Sequence, residues 1–442
     1  MKIPMPPPAF DEALSRVIKS NQLPAILKAA STADTAYLNW DKLRQKNPPA
    51  GLSVEDWWLA IRMERKLSQR TIPSLKTTVG EPFTYSLPDE VLKAVEEITR
   101  DASGVIAISD QVTSPATRDR YIVSSLIEEA ITSSQLEGAS TTRRDAKQML
   151  RTGRAPQDTS ERMILNNYRA MQRVAEVKDE ALTPSLVREL HRIVTDETLD
   201  DPIHAGHLQD DDLLRVAVWG HDDQLLHKPP PVAELPERLE ALCEFANGKG
   251  KHYIPPVLRA ITLHFMVGYD HYFEDGNGRT ARAIFYWSML HQGFWLTEFL
   301  TISRILKSAP SKYAKSFLLT EQDDGDLTHF FIYHLSVIQR AISDLQTYLG
   351  RKLEEIREAE ADIRARPGEF NNRELALLRR AVAEPGGVFT AKSHASYHRV
   401  TVETARADLL DLERKGFLVR ARRGNEYLWQ PPTDLGERLH SR

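Results

Sequence analysis

Apolar residues recur at three- and four-residue steps through most of this chain. Between about Leu87 and Leu349 the recurrence is almost unbroken, as in Val91, Val95 and Ile98, then Ile122, Leu126 and Ala130. Such spacing turns one stripe of each segment toward a core and predicts helices. The main interruption is residues 206–231, where Leu213-Leu214-Arg215-Val216-Ala217-Val218-Trp219 meets Gly220-His221-Asp222-Asp223 and then Pro229-Pro230-Pro231. β-Branched residues beside a Gly/Asp turn predict a small hairpin there. Upstream, residues 9 to about 90 mix short helical patterns with turn signals at Pro48-Pro49-Ala50-Gly51 and Gly80-Glu81-Pro82. Downstream, a long helix is expected from about Leu327 to Arg364, broken by Arg366-Pro367-Gly368. Beyond it, short helices are predicted around Leu375–Val382 and Thr401–Lys415, followed by a hairpin that turns at Arg422-Arg423-Gly424-Asn425. The expected fold class is therefore mainly α. Residues 1–90 are an N-terminal helical segment packing on the core, 91–349 the core with its hairpin, 350–368 a helical linker, and 369–442 a separate small domain.

Composition adds bounds. At 442 residues the chain exceeds one ordinary core, and 41% apolar with 27% charged residues suits a soluble globular protein. The net charge of −4 excludes a general polycation, yet residues 371–423 carry eleven Lys/Arg against six Asp/Glu, a local +5. The single cysteine, Cys243, excludes an intramolecular disulfide and a cysteine-based metal cluster, which fits a reducing cytosol. Its setting in Leu242-Cys243-Glu244-Phe245 reads as helix packing, and Trp40, Trp57 and Trp58 likewise read as packing groups. The start, Met1-Lys2-Ile3-Pro4-Met5-Pro6-Pro7-Pro8, lacks the apolar stretch of a secretory signal, and no segment is apolar enough to span a bilayer. The expectation is a cytoplasmic protein with no membrane partner.

Chemistry concentrates in His271-Tyr272-Phe273-Glu274-Asp275-Gly276-Asn277-Gly278-Arg279-Thr280-Ala281-Arg282. A helix starting near Pro256, with Val257, Ile261 and Phe265 on one face, runs into it, and another leaves it to stop at Gly293. Gly276-Asn277-Gly278 thus precedes a helix N-terminus, where free N–H groups and the positive dipole end make an anion site. Two glycines let that backbone approach a phosphate closely. Arg279 and Arg282, three apart, add guanidinium forks suited to a polyphosphate. Asp275 offers a hard oxygen for Mg²⁺, and His271 a base that works near neutral pH. Together these are the parts for phosphoryl or nucleotidyl transfer.

This segment resembles the signature of the Fic/Doc family, His-x-Phe-x-Asp/Glu-Gly-Asn-Gly-Arg-x-x-Arg. The resemblance covers roughly residues 90–345 and implies a helical core that transfers AMP from Mg-ATP to a Tyr, Ser or Thr hydroxyl of a protein, the chain itself included. It implies that His271 deprotonates the hydroxyl, Asp275 holds Mg²⁺, and Asn277 with the amides around Gly276 and Gly278 stabilises the α-phosphate. Arg279 and Arg282 would grip the β- and γ-phosphates, while Phe273 packs inward. Val218 and Trp219 fall where the family places a flap that aligns the target segment by strand addition, and Tyr313 where it places a tyrosine near the adenosine. Far upstream, Ser133-Ser134-Gln135-Leu136-Glu137-Gly138 resembles the family's inhibitory motif, whose glutamate pairs with the second motif arginine, here Arg282. The plainer reading is a capping box between Ser134 and Glu137 with Gly138 ending a helix. Two departures stand out: Tyr272 where most members have proline, and Gln209 where many have arginine after Gly206.

The order of elements after residue 369 resembles a winged helix-turn-helix, with Thr401–Lys415 as recognition helix and Arg406, Arg420, Arg422 and Arg423 facing phosphates. Duplex DNA through residues 401–423 and a docking or homodimer surface stay open as its partners. The expectation is a protein adenylyltransferase, autoinhibited by Glu137 and open to hydrolytic removal of AMP as a second activity. The alternative is a DNA-binding transcriptional regulator that uses the core as a nucleotide sensor.

Overall fold

The stripe that runs through residues 256–291 becomes two helices, Pro256–Asp270 and Asn277–His291, packed on each other. A computed structural model describes residues 3–440 apart from 20, 31–35, 104–114, 220–224, 251, 367, 384–386, 424–425 and 433. Met1, Lys2, the turn Gly220-His221-Asp222-Asp223, Pro367 and Gly424-Asn425 therefore lie outside the described residues. Both helices are buried on nearly every side, which is why their sequences are apolar all round rather than along one stripe. The helices Asp89–Ser103, Thr159–Glu176, Pro184–Thr195 and Leu235–Ala246 pack around them. Their ends are set locally: Asp158 Oδ1 accepts from Glu161 N, and Thr183 Oγ1 from Leu186 N with Pro184 in the first turn. Cys243 is buried in its helix, and burial pushes its thiol up to about 12, so packing is its role.

The described residues fall into two units, one drawn from 1–105 and 124–342, the other from 106–123 and 343–442. In the first, the expectation of a purely helical N-terminal segment is corrected. Helices Phe10–Lys19, Leu23–Ala30, Trp40–Leu43 and Val54–Ser68 are followed by an antiparallel hairpin, Arg70–Lys76 with Pro82–Tyr85. Its register runs Arg70 to Tyr85, Thr71 to Thr84 and Ile72 to Phe83, then shifts so that Lys76 meets Pro82. That irregularity leaves Ile72 and Leu75 buried three residues apart, so the two-residue alternation that betrays a strand is missing. Phe83 lands edge-on against Phe265 and Tyr269. Trp57 and Trp58 are buried in one cluster with Trp40 against it. A second correction concerns Leu213–Trp219, which is strand only at Val218–Trp219, paired with Leu225–His227. Asp212–Leu214 is a 3₁₀ turn, and Arg215 is drawn away from the strand by backbone carbonyls described below.

The second unit is built on Ala359, Ile363, Phe370, Leu377, Leu409, Phe417 and Trp429. Helices Asn372–Ala383, Ala391–His398 and Val402–Arg414 precede the hairpin Val419–Arg423 with Glu426–Gln430, and Phe389 pairs with Trp429. Ala391–His398, which the periodicity did not single out, starts at a capping box between Thr390 and Ser393. Among the described residues no helix is long and apolar enough to cross a membrane.

Replacing Phe83, fully buried among aromatic rings, with alanine is expected to cost roughly 3–5 kcal/mol, read as a lower urea midpoint with the slope unchanged.

Candidate active site

The turn between the two central helices carries the site. His271 ends the first helix in the left-handed region at φ 51° and ψ 56°, its N–H still bonded to Val267 O. Its Nδ1 lies 3.2 Å from the Gly268 carbonyl, which can only accept, so Nδ1 carries the proton and Nε2 is the ring's acceptor. Burial, aided by His227 and Arg215, holds its pKa below the ordinary histidine value and favours the neutral ring. Gly276 caps the second helix at φ 78°, where a Cβ would stand 2.6 Å from Thr195 Cγ2. The first intrahelical bond there is Thr280 N to Gly276 O, so the N–H groups of Asn277, Gly278 and Arg279 precede it and point out of the helix end.

Several side chains hold this turn. Asn277 Nδ2 donates to Phe273 O at 2.6 Å and its Oδ1 accepts from Phe273 N at 3.0 Å. The Asn277 side chain thus closes the loop on itself. Phe273 is buried and stacks on His191, with centroids 3.7 Å apart. His191 Nδ1 accepts from Gly206 N, so its Nε2 carries the proton donated to Asp275 O at 2.8 Å. Burial depresses His191 to about 4. Gln209 donates to both His271 O and Phe273 O, accepts from Val216 N, and sends its own N–H to Tyr272 O. Far from loosening this region, the glutamine joins it to the hairpin. Tyr272 is buried, its hydroxyl 2.7 Å from Asp270 Oδ2, and Arg238 pairs with the other oxygen at 3.0 Å. Burial raises Asp270 to about 6 against the pull of Arg238.

Arg279 and Arg282 are both fully buried. Arg279 Nη1 donates to Val194 O and Nη2 lies 3.3 Å from Asp275 Oδ2. Arg282 Nε donates to Ser133 Oγ at 2.8 Å, while its Nη2 donates to Ser133 O at 3.0 Å and Glu137 Oε1 at 2.8 Å. Arg279 Nε and Arg282 Nη1 are buried without a partner among the described residues. The Glu137 carboxylate also lies over the helix end: a Cβ on Gly278 would meet Glu137 Oε1 at 2.2 Å. An anion therefore sits at the anion site, placed there by the turn after the helix ending at Leu136. The capping-box reading fails, because Ser134 lies inside the helix ending at Leu136 and its Oγ donates to Met163 O rather than accepting from Glu137 N, which donates to Ser134 O. Gly138 turns the chain at φ 95°.

Asp275 is 60% exposed at its side chain, with one oxygen toward Arg279. One hard carboxylate suits a Mg²⁺ that takes its remaining ligands from phosphates and water. No protein-only metal cluster occurs among the described residues. Tyr313 bonds His264 Nε2 through its hydroxyl at 2.8 Å, and burial pushes it up to about 12. Val218 stands in the hairpin opposite His227, 36% exposed. Sequence reasoning missed His191, which carries no signal beyond a histidine on the inner face of a helix. It also missed Arg215, although a charge inside an apolar run was a signal.

Against these contacts the comparisons are specific. Residues 181–289 match the model of the Fic/DOC family. The chain thus carries a Fic/DOC family domain, and the turn just described lies within it. It is 29% identical over 117 residues to Protein adenylyltransferase Fic of Nematostella vectensis, spanning 26% of this chain and 25% of that one. It is 27% identical over 164 residues to Protein adenylyltransferase fic-1 of Caenorhabditis elegans, spanning 37% of this chain and 28% of that one. The chain therefore spans less than a third of these curated relatives. The crystal structure of a Fic family protein from Desulfovibrio desulfuricans G20 shares the fold at a TM-score of 0.52 and 16% identity, covering 79% of this chain and 97% of that one.

The depressed pKa of His191 fixes a stability slope. The neutral ring is favoured in the fold, so stability is full above the unfolded value near 6.5 and falls as pH drops toward about 4. The loss from this group is on the order of 3 kcal/mol at 1.36 kcal/mol per pH unit. Urea titrations at pH 7 and 4.5 are expected to differ less for His191→Gln than for the unaltered chain.

Proposed function

We propose that this chain transfers AMP from ATP to a Tyr, Ser or Thr hydroxyl of a protein, and that Glu137 restrains it. The observation that carries the reading is the Glu137 carboxylate bonded to Arg282 over Gly278, an internal anion on a helix end built for a polyphosphate. The names of the curated relatives support the same reaction.

The residues supply the chemistry in order. The hydroxyl oxygen bonds to the α-phosphorus as the bond from that phosphorus to the bridging oxygen breaks, and pyrophosphate leaves. The hydroxyl proton goes to His271 Nε2, which the Gly268 contact leaves as acceptor. The N–H groups of Asn277, Gly278 and Arg279 face the growing negative charge. Arg282, once released from Glu137, and Arg279 hold the β- and γ-phosphates. Asp275 holds Mg²⁺, which when bound neutralises charge on the leaving phosphates. The outer edge of Val218–Trp219 receives an extended target segment through backbone hydrogen bonds, and Tyr313 borders the nucleoside. Water in place of the hydroxyl would let the same site remove AMP by hydrolysis. A nucleotide sensor has no need of a histidine whose free nitrogen is kept as an acceptor, so the enzyme reading is preferred.

The basic small unit has its own reading, duplex DNA. Arg406, Arg420 and Arg422 lie 5.7, 5.2 and 5.8 Å from the ring centre of the exposed Tyr427, forming a cationic fan; Arg420 also pairs with Glu413. Paired substitution of Arg406 and Arg420 by alanine is expected to weaken binding of labelled duplex and lower its log–log salt slope by about 2. An unchanged slope would remove these residues from phosphate contact.

For the transferase, label from α-³²P-ATP with Mg²⁺ is the measurement. A charged hydrogen bond is worth roughly 1.5–3 kcal/mol, so Glu137→Gly is expected to raise protein-bound label about tenfold to a hundredfold. Label should vanish when His271→Ala is added. Equal labelling of the unaltered and Glu137→Gly proteins would reject restraint by Glu137.

A further inference from the structure

We infer that Arg215 is the positioning residue that locks the backbone of His271 to the hairpin segment and so aims the general base. The inference rests on the transfer reading of the same site. His271 is a non-glycine residue held at φ 51°, a strained conformation that persists only where the surroundings impose it.

Arg215 supplies that imposition. Its Nη1 donates to His271 O at 2.6 Å, its Nη2 to Asp270 O at 2.6 Å, and its Nε to Pro230 O at 3.0 Å. Three nitrogens of one planar group thus hold the last carbonyls of the central helix together with the proline run beyond the hairpin. A cation at a helix C-terminus is favourable in itself. Only a guanidinium presents three donors in one rigid fork, so lysine cannot copy the arrangement. Gln209 adds a second tie, since its Nε2 shares the His271 carbonyl while its Oε1 takes Val216 N. The hairpin segment and the base therefore share one carbonyl, and a turn of the His271 backbone would break bonds from both. The charge of Arg215 acts on the same ring: Arg215 and His227 lower its basicity while Glu137 raises it.

The test uses the full-length chain carrying Glu137→Gly as parent. Arg215→Ala is expected to lower kcat roughly a hundredfold, as a misplaced catalytic group does, with KM for ATP within about twofold. Its acid limb in the pH–rate profile should move to higher pH, because a cation beside the base has gone. His271 imidazole titration by NMR should move the same way, and this reading needs no transfer activity. Arg215→Lys should hold the His271 titration near the parent value while recovering little of the rate, a split that a merely structural arginine would not give. A kcat within about twofold of the parent, in either variant, overturns the inference, as does an unmoved His271 titration in Arg215→Ala. If the parent transfers no label, the transfer reading fails by itself, and the titration still decides whether Arg215 acts on His271. Should the alanine variant not fold, the lysine variant decides alone: full rate overturns the inference, and lost rate with an unmoved titration supports it.

Discussion

Two buried helices must be joined within residues 271–276, and the backbone groups at their facing ends cannot be left unpaired away from water. That constraint organises the first unit. The carbonyl end of Pro256–Asp270 is met by donors from Gln209 and Arg215. Asn277 ties the middle of the turn to itself, and His191 grips it at Asp275. At the other end, a carboxylate from Glu137 lies over Gly278 and pairs with Arg282. Partners from residues 137, 191 and 209–215 thus meet at this turn, which gathers the fold around it.

The arginines show the same economy of charge. Arg282 and Arg279 are fully buried, and a buried guanidinium is tolerable only with acceptors close by. Burial alone pulls both downward; Glu137 restores Arg282, while Arg279 stays lowered despite Asp275. The asymmetry fits their contacts, since the Glu137 oxygen lies at 2.8 Å and the Asp275 oxygen at 3.3 Å on an exposed side chain.

Much of this was legible in the chain. The helix-turn-helix around His271 follows from periodicity, and the pairing of Glu137 with Arg282 follows from the motif resemblance, across 145 positions of sequence. The N-terminal hairpin was hidden because a register shift replaces its two-residue alternation with buried Ile72 and Leu75. The contribution of Arg215 was hidden for a related reason: an apolar run reads as strand, whereas three carbonyls claim the arginine within it. Gln209 and Tyr272 looked like gaps in a pattern, yet one holds two loop carbonyls and the other completes a buried contact with Asp270. Local spacing reports what a residue can do; only the fold shows which distant acceptor it meets.

Under the proposed function, the contact of Glu137 with Arg282 would make this site an ion exchanger. A buried guanidinium is not left bare, so on the proposed reading an incoming polyphosphate would not fill a vacancy but would evict a resident anion. Its apparent affinity is then the intrinsic one divided by the strength of the tether that returns Glu137. On that reading, the stiffness of the turn after Leu136 would become a setting on nucleotide affinity, and a change there would shift the half-saturation point without altering any group that contacts the ligand.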